Sequence, residues 1–170
     1  MSGEGGLRGR PAAVSDVAAI TRIYNQGIAD GTATFETRLR EDDDVMAWFG
    51  RRFPIVVVES DGEVIAFAST SEYRPRECYS GIAEFSVYVD REHRGQGAGR
   101  MAMETLGEAA RRAGFWKLVS RVFVENLASR ALLRDVGFRE VGIYERHDCV
   151  SESILHSSFC TEPSGVPSSK

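Results

Sequence analysis

Cysteine and histidine are scarce in this chain of 170 residues, with three of each, and their placing excludes the chemistry they usually serve. Cys78, Cys149 and Cys160 form no C-x-x-C or similar ligand spacing, and an odd count does not build a disulfide framework. His93, His147 and His156 are scattered, so no metal is expected. An excess of basic residues is also missing: 21 Lys and Arg face 25 Asp and Glu, a net charge of −4. Nucleic acid and anionic lipid call for basic stripes, so neither is an expected partner. No apolar run approaches membrane-spanning length, and the opening "MSGEGGLRGR" lacks the apolar core of a signal peptide. A reduced, cytoplasmic protein with no membrane contact is the expectation. Internal repeats and dividing linkers are absent too.

What is there is ordinary: 42% hydrophobic and 27% charged residues, enough chain for one cored domain and too little for two. That domain is expected over 7–160. Residues 1–6, and the Ser/Pro/Gly-rich end at 161–170, are expected to be disordered tails.

Periodicity supplies the elements. "LRGRPA" reads as a first strand, and Ser15 as the cap of a helix from about Asp16 to Ala29 with Val17, Ile20, Ile23, Tyr24 and Ile28 on one face. "EDDDVMAWFGRR" has acids in its first turn and arginines in its last, as a helix dipole favours. "PIVVVES" and "EVIAFASTSEYR" are strands joined by an Asp61-Gly62 turn. "GIAEFSVYVD" alternates, Ala83, Phe85, Val87 and Val89 against Ile82, Glu84, Ser86 and Tyr88. A helix ended by Gly114, the strand "WKLVSRVF", a helix capped by Asn126 and closed by Gly137, and the strand "FREVGIYERH" follow. The class is α+β, a mixed αβ domain.

Between the fourth strand and the next helix stands Arg94-Gly95-Gln96-Gly97-Ala98-Gly99-Arg100. A helix start carries unpaired N–H groups and partial positive charge, glycines let a diphosphate approach the main chain, and two arginines add counter-charge. A tight turn that binds nothing fits the glycines equally well. A Walker A loop is excluded, because Gly-Lys-Ser/Thr is missing. A dinucleotide fingerprint is excluded by position after the fourth strand and by the lack of an acid closing the next one.

"RGQGAG" at this place resembles the R/Q-x-x-G-x-G/A pyrophosphate loop of the GNAT acetyltransferase superfamily. "IYNQGIADGTATFET", "VVVESDGEVIAFASTSEYRPRECY", "AEFSVYVDREHRGQGAG" and "ENLASRALLRDVGF" resemble successive blocks of the phosphinothricin N-acetyltransferase family, and "FWKLVSRVF" its arsinothricin-resistance branch. The likeness runs from about Leu7 to His147. It implies a GNAT-type acyltransferase fold: a central mixed sheet flanked by helices, with splayed fourth and fifth strands. It implies acetyl-CoA as co-substrate, a small amino-acid substrate of the arsinothricin, phosphinothricin or methionine sulfoximine type, a resistance role and a homodimer.

Residue by residue, the resemblance makes Glu84 the base that takes the amine proton; by itself it reads rather as a solvent-facing strand residue. Val87, Tyr88 and Val89 would hold the pantetheine arm and thioester carbonyl through their main chain. Arg94, Gly95, Gln96, Gly97, Ala98, Gly99 and Arg100 would grip the diphosphate, with Asn126, Ser129 and Asp135 as further coenzyme contacts. The substrate would meet Phe35, the loop of Arg74, Pro75, Arg76 and Tyr79, and Phe85 and Ser86 beside the base. Two guanidiniums there could clamp a carboxylate and a second anion. On this reading Glu84 lies on the same side of the sheet as the glycine turn.

Two departures stand out. Leu133 occupies a position where some relatives have a histidine, so the leaving thiolate would take a proton from water or Tyr88. The chain ends "DCVSESILHSSFC" instead of the Gly-x-Trp-x-Asp-Val last strand, leaving a poor strand through "SILHSSF" or an incomplete sheet. An incomplete sheet would suit an alternative class, a coenzyme A-binding protein without catalysis. A nucleotide-binding regulator is a third.

Overall fold

The structure is a computed structural model that describes residues 6–31, 34, 36–148 and 151–160. The two expected tails, apart from Gly6, and Phe35 lie outside the described residues. Seven strands form one sheet: β1 (Arg8–Pro11), β2 (Ile55–Ser60), β3 (Glu63–Glu72), β4 (Ile82–Val89), β5 (Lys117–Phe123), β6 (Arg139–Asp148) and β7 (Ser151–Cys160), in the spatial order β1-β2-β3-β4-β5-β7-β6. Four helices accompany them: α1 (Val17–Asp30), α2 (Asp42–Met46), α3 (Ala98–Arg112) and α4 (Leu127–Asp135).

The sheet separates two cores. Ala83 and Phe85 of β4, Val56 and Val58 of β2 and Leu118 and Val122 of β5 pack with Ala98, Ala102 and Leu106 of α3 and Leu133 of α4. On the other face Tyr88, Phe67, Ile55 and Val57 pack with Ile20, Ile23 and Tyr24 of α1 and Val45 of α2. Because both faces are covered, β2 reads as an unbroken apolar run rather than an alternation. Val58 pairs with Ala66 and Glu59 with Val64, so Ile65 is the extra residue of a bulge. Asp61 and Gly62 both have positive φ, 50° and 82°, the conformation the β2–β3 turn requires.

Two expectations are corrected. Ser15 caps nothing: residues Val14–Asp16 form a 3-10 turn ahead of α1. There the Asp16 carboxylate accepts from the Ala13 N–H at 2.8 Å and from the Arg10 guanidinium at 2.7 Å, which closes the 3-10 turn on itself and ties it to β1. The acidic helix is only Asp42–Met46; Arg52, from the basic end expected for it, lies over the Phe115 ring, on which Phe53 stacks with 5.7 Å between ring centroids.

The C-terminal segment does complete the sheet. β7 lies between β5 and β6, antiparallel to both, from Lys117 opposite Cys160 to Phe123 opposite Ile154. β4 and β5 run parallel and pair only over Ile82–Glu84 and Lys117–Val119. Beyond that point β4 follows β3 as far as Val89, and β5 follows β7. The expected splay is therefore present, and it opens a gap in the middle of the sheet.

Candidate active site

At the end of β4 the chain turns through a 3-10 turn and the glycine segment into α3. The glycines serve different ends. Gly95 and Gly97 have φ of 74° and 89°, in the left-handed region that side chains avoid. Gly97 stands as N-cap of α3 and offers no side chain to its first turn. Helix geometry leaves the first-turn N–H groups without intrahelical acceptors, and they face the cleft as donors for an anion. Gly99 answers to packing: a Cβ there would stand 2.9 Å from Leu132 Cδ2 and 3.4 Å from Val89 Cγ2.

A scaffold that sequence reading missed holds this turn. Asp90, 3% exposed, accepts from the Arg22 guanidinium, from Gln26 Nε2 at 3.2 Å and from the Glu92 N–H at 3.0 Å, with His93 Nδ1 at 3.3 Å. Burial pushes its carboxyl up, but these donors outweigh burial and bring it down to about 2. Asp30, the last residue of α1, bonds Arg94 at 2.7 Å and Arg91 at 2.6 Å, and both hold its carboxyl below the ordinary range. The signal for such a scaffold is tertiary, since α1 precedes the turn by more than 60 residues.

In front of the turn lies a cleft of about 530 Å³. It brings together Val87, Tyr88 and Val89, Arg94, Gly95, Gly97, Gly99 and Arg100, and Asn126, Ser129 and Asp135 of the α4 region. Ile23 and Gly27 of α1 and Ala128 and Leu132 of α4 join them, without having been singled out by sequence. Gln96 turns its amide back to the Glu92 carbonyl at 3.2 Å, and Ala98 is buried in the core. Asn126 caps α4 by accepting from the Ser129 N–H at 3.1 Å while also lining the cleft. The donor set is that of a diphosphate cradle: unpaired helix N–H groups, two guanidiniums and a glycine approach.

The gap between β4 and β5 is narrow, about 40 Å³, and its walls include Phe85, Val87 and Leu133 from the α3 face and Ser86, Tyr88 and Arg121 from the α1 face. It shares Val87, Tyr88, Asn126 and Ser129 with the cleft. It shares Ser86, Tyr88 and Arg121 with a third cavity of about 190 Å³ that contains Glu84, Tyr24, Thr34 and Glu36. Glu84 thus sits on the α1 face with Tyr88, opposite α3. The cleft at the glycine turn takes lining from that face as well, Ile23 and Gly27 of α1 and Tyr88, besides Leu132 of α4. The physical reason is the splay: a sheet that has come apart can be crossed, so the two halves of the site meet through it.

Tyr88 marks the crossing. Its ring is fixed edge-on to Tyr24, 4.9 Å between centroids, and stacked on Phe67 at 5.2 Å. Burial pushes its phenol above the ordinary value, so it stays protonated. Glu84 is partly buried, and Arg121 of β5 donates to its Oε1 from Nε at 2.9 Å. No sequence pattern marked Arg121. In the loop after β3 the Arg74 guanidinium lies over the rings of Tyr73 and Tyr79, 5.1 and 5.6 Å from their centroids. Arg74, Pro75, Arg76 and Tyr79 are not among the residues lining the Glu84 cavity, and the Phe85 ring is in the core against Phe138. Among the described residues no cluster of three His, Cys, Asp or Glu could hold a metal.

A cleft for a diphosphate, joined through a splayed sheet to a carboxylate, is the layout of an enzyme that brings a coenzyme thioester to an acceptor. Comparison with known proteins agrees. The model of the Acetyltransferase (GNAT) family matches residues 20–138. The methionine sulfoximine/methionine sulfone acetyltransferase of Salmonella typhimurium is 35% identical over 128 residues, 73% of this chain and 75% of that protein. The phosphinothricin N-acetyltransferase of Alcaligenes faecalis is 33% identical, with 75% and 68% covered. A GNAT superfamily phosphinothricin acetyltransferase from Sinorhizobium meliloti, solved with acetyl-CoA, superposes with a TM-score of 0.82 at 26% identity over 91% of this chain and 88% of that one. The yncA structure from Salmonella typhimurium, with its cofactor acetyl-CoA, reaches 0.88 at 27% identity over 97% and 99%. The chain belongs to the GNAT acetyltransferase family and, within it, to the phosphinothricin N-acetyltransferase family. It is an N-acetyltransferase.

Proposed function

We propose that this enzyme transfers the acetyl group of acetyl-CoA to the α-amino group of a small amino-acid antimetabolite of the methionine sulfoximine, phosphinothricin or arsinothricin type, and so confers resistance to it. The observation that carries this reading is the passage through the sheet. It joins the cleft at the glycine turn to the cavity holding Glu84. The named activities of the relatives support the substrate class.

In this mechanism the α3 start, Arg94 and Arg100 hold the coenzyme diphosphate. The edge of β4 beyond Glu84, where pairing with β5 has ended, guides the pantetheine arm and meets the thioester carbonyl with main-chain donors. Glu84 takes the proton from the substrate ammonium, directly or through water. The amine nitrogen then bonds to the carbonyl carbon, the nitrogen gives its second proton to water, the carbon–sulfur bond breaks, and the thiolate takes its proton from water. Tyr88, whose phenol burial pushes above its ordinary value, donates a hydrogen bond to the departing sulfur. The pairing of β7 with β5 favours this reading over a coenzyme-binding protein without catalysis, since the sheet is not left incomplete beside β5.

Thiol release from acetyl-CoA, followed with the three amino acids, tests it. Turnover of at least one is expected, with Glu84→Gln lowering kcat about 100-fold or more. Coenzyme binding without amine-dependent thiol release would overturn the proposal. A cytoplasmic homodimer belongs to the same reading. Val141 and Ile143, exposed on the edge strand β6, offer apolar surface for it, and no described helix is long and apolar enough to cross a membrane. A monomeric mass by light scattering would remove the dimer.

A further inference from the structure

We propose that Asp30 is a positioning residue of the coenzyme site, which presets the Arg94 guanidinium for the diphosphate before the coenzyme arrives. This inference rests on the coenzyme reading above and does not depend on which amine is acetylated.

Asp30 closes α1 and meets the glycine turn 64 residues later in the chain. Its two carboxylate oxygens divide two arginines between them. Oδ2 accepts from a terminal nitrogen of Arg94 at 2.7 Å, and Oδ1 from one of Arg91 at 2.6 Å. The main chain is fixed to the same helix end, because the Arg91 N–H donates to Gln26 Oε1 at 2.9 Å. Of the three charged residues only Arg94 lines the cleft. Arg91 therefore belongs to the anchor and Arg94 to the cradle. Asp30 engages one terminal nitrogen of Arg94, and a guanidinium carries five N–H donors, so others remain for an anion.

The effect of such a pair is on freedom more than on stability, since ion pairs this exposed contribute little to folding. The Asp30 side chain is 24% exposed against 49% for Arg94, so the carboxylate is the inner member and the guanidinium reaches outward. Arg94 stands between a 3-10 turn and Gly95, with no helix or strand of its own to restrict a long side chain. An arginine held in advance spares the ordering that a free one must undergo on binding, roughly two- to tenfold in affinity for one such side chain.

Charge and position make opposite predictions. Two guanidiniums and one carboxylate leave a single positive charge at this joint. Removing the carboxylate adds to it, and Coulomb attraction alone would then tighten the hold on a polyanionic coenzyme. Positioning demands the reverse. Asparagine has one acceptor oxygen for two arginines, and a neutral amide holds a guanidinium less firmly than a carboxylate does. Asp30→Asn therefore binds the coenzyme less tightly in spite of its gain in positive charge.

The test is calorimetric binding of acetyl-CoA to the full chain, which needs no amine. Asp30→Asn is expected to raise the Kd about fivefold, and Arg94→Gln about tenfold. Asp30→Glu keeps both acceptor oxygens and should recover part of the affinity. In the Arg94→Gln background Asp30→Asn should bring no further weakening, since the side chain it positions is gone. Unchanged or tighter binding by Asp30→Asn overturns the proposal. So does an equal additional loss in the Arg94→Gln background, which would make Asp30 a general support of the turn. Wild-type protein that binds no acetyl-CoA refutes the coenzyme reading itself, and this assignment with it. Unchanged thermal melting shows that the variants fold; should Asp30→Asn not fold, Asp30→Ser takes its place with the same expectations.

Discussion

Single residues divide the coenzyme end of the site from the chemical end. Gly97, at φ 89°, has to adopt a left-handed conformation to let α3 begin where it does. Gly97→Ala is expected to cost about 1 kcal/mol of stability, visible as a lower urea midpoint, and to raise the KM for acetyl-CoA. Tyr88 is positioned by two rings and keeps its proton. Tyr88→Phe keeps that packing and removes one hydrogen bond, so kcat should fall about tenfold with the KM for acetyl-CoA nearly unchanged. A loss of acetyl-CoA binding with unchanged kcat would contradict the role given to the hydroxyl. The glycines were legible in the sequence because their demand is local. Arg121 was not, because its partner is 37 residues away and is reached only by parallel strand pairing.

Elements are tied together by a few buried charges. Asp90 closes β4, and through Arg22 and Gln26 it fastens the glycine turn to α1. Its carboxyl lies near 2 in the folded chain against about 3.9 in an unfolded one. A lowered value in the folded state means that the contribution, about 2 kcal/mol, is present above pH 4 and is lost as pH falls towards 2. Asp90→Asn should therefore lower the stability measured by urea unfolding at pH 7 and narrow its difference from wild type at pH 3; a difference independent of pH would refute this. The same logic explains where element reading failed. Ser15 has the right chemistry for a cap, yet Asp16 holds the N-cap position, its carboxylate turned back to Ala13 and to Arg10 of β1. The acidic first turn of α2 was legible, whereas the place of its expected basic end, with Arg52 over Phe115, was set across the fold.

For the whole molecule, the last strand is the decisive part. β6 pairs with β7 and otherwise lies at the sheet's edge, so removing residues 151–170 leaves β6 without its neighbour and uncovers β5. Such a truncation is expected to lose cooperative thermal unfolding and to aggregate, as seen by light scattering; a soluble chain with wild-type thiol release would show that β7 is dispensable. The sequence alone determined the order of strands and helices as far as β6, the glycine turn and its suitability for a diphosphate, because hydrophobic period, turn residues and helix ends are written within a few neighbouring positions. Only the tertiary structure decided that Glu84 and α3 lie on opposite faces, that the parting of β4 and β5 connects them, and that Arg121 meets Glu84. Those facts depend on which strands lie side by side and how far they stay paired, and pairing energies are shared between segments distant in the chain.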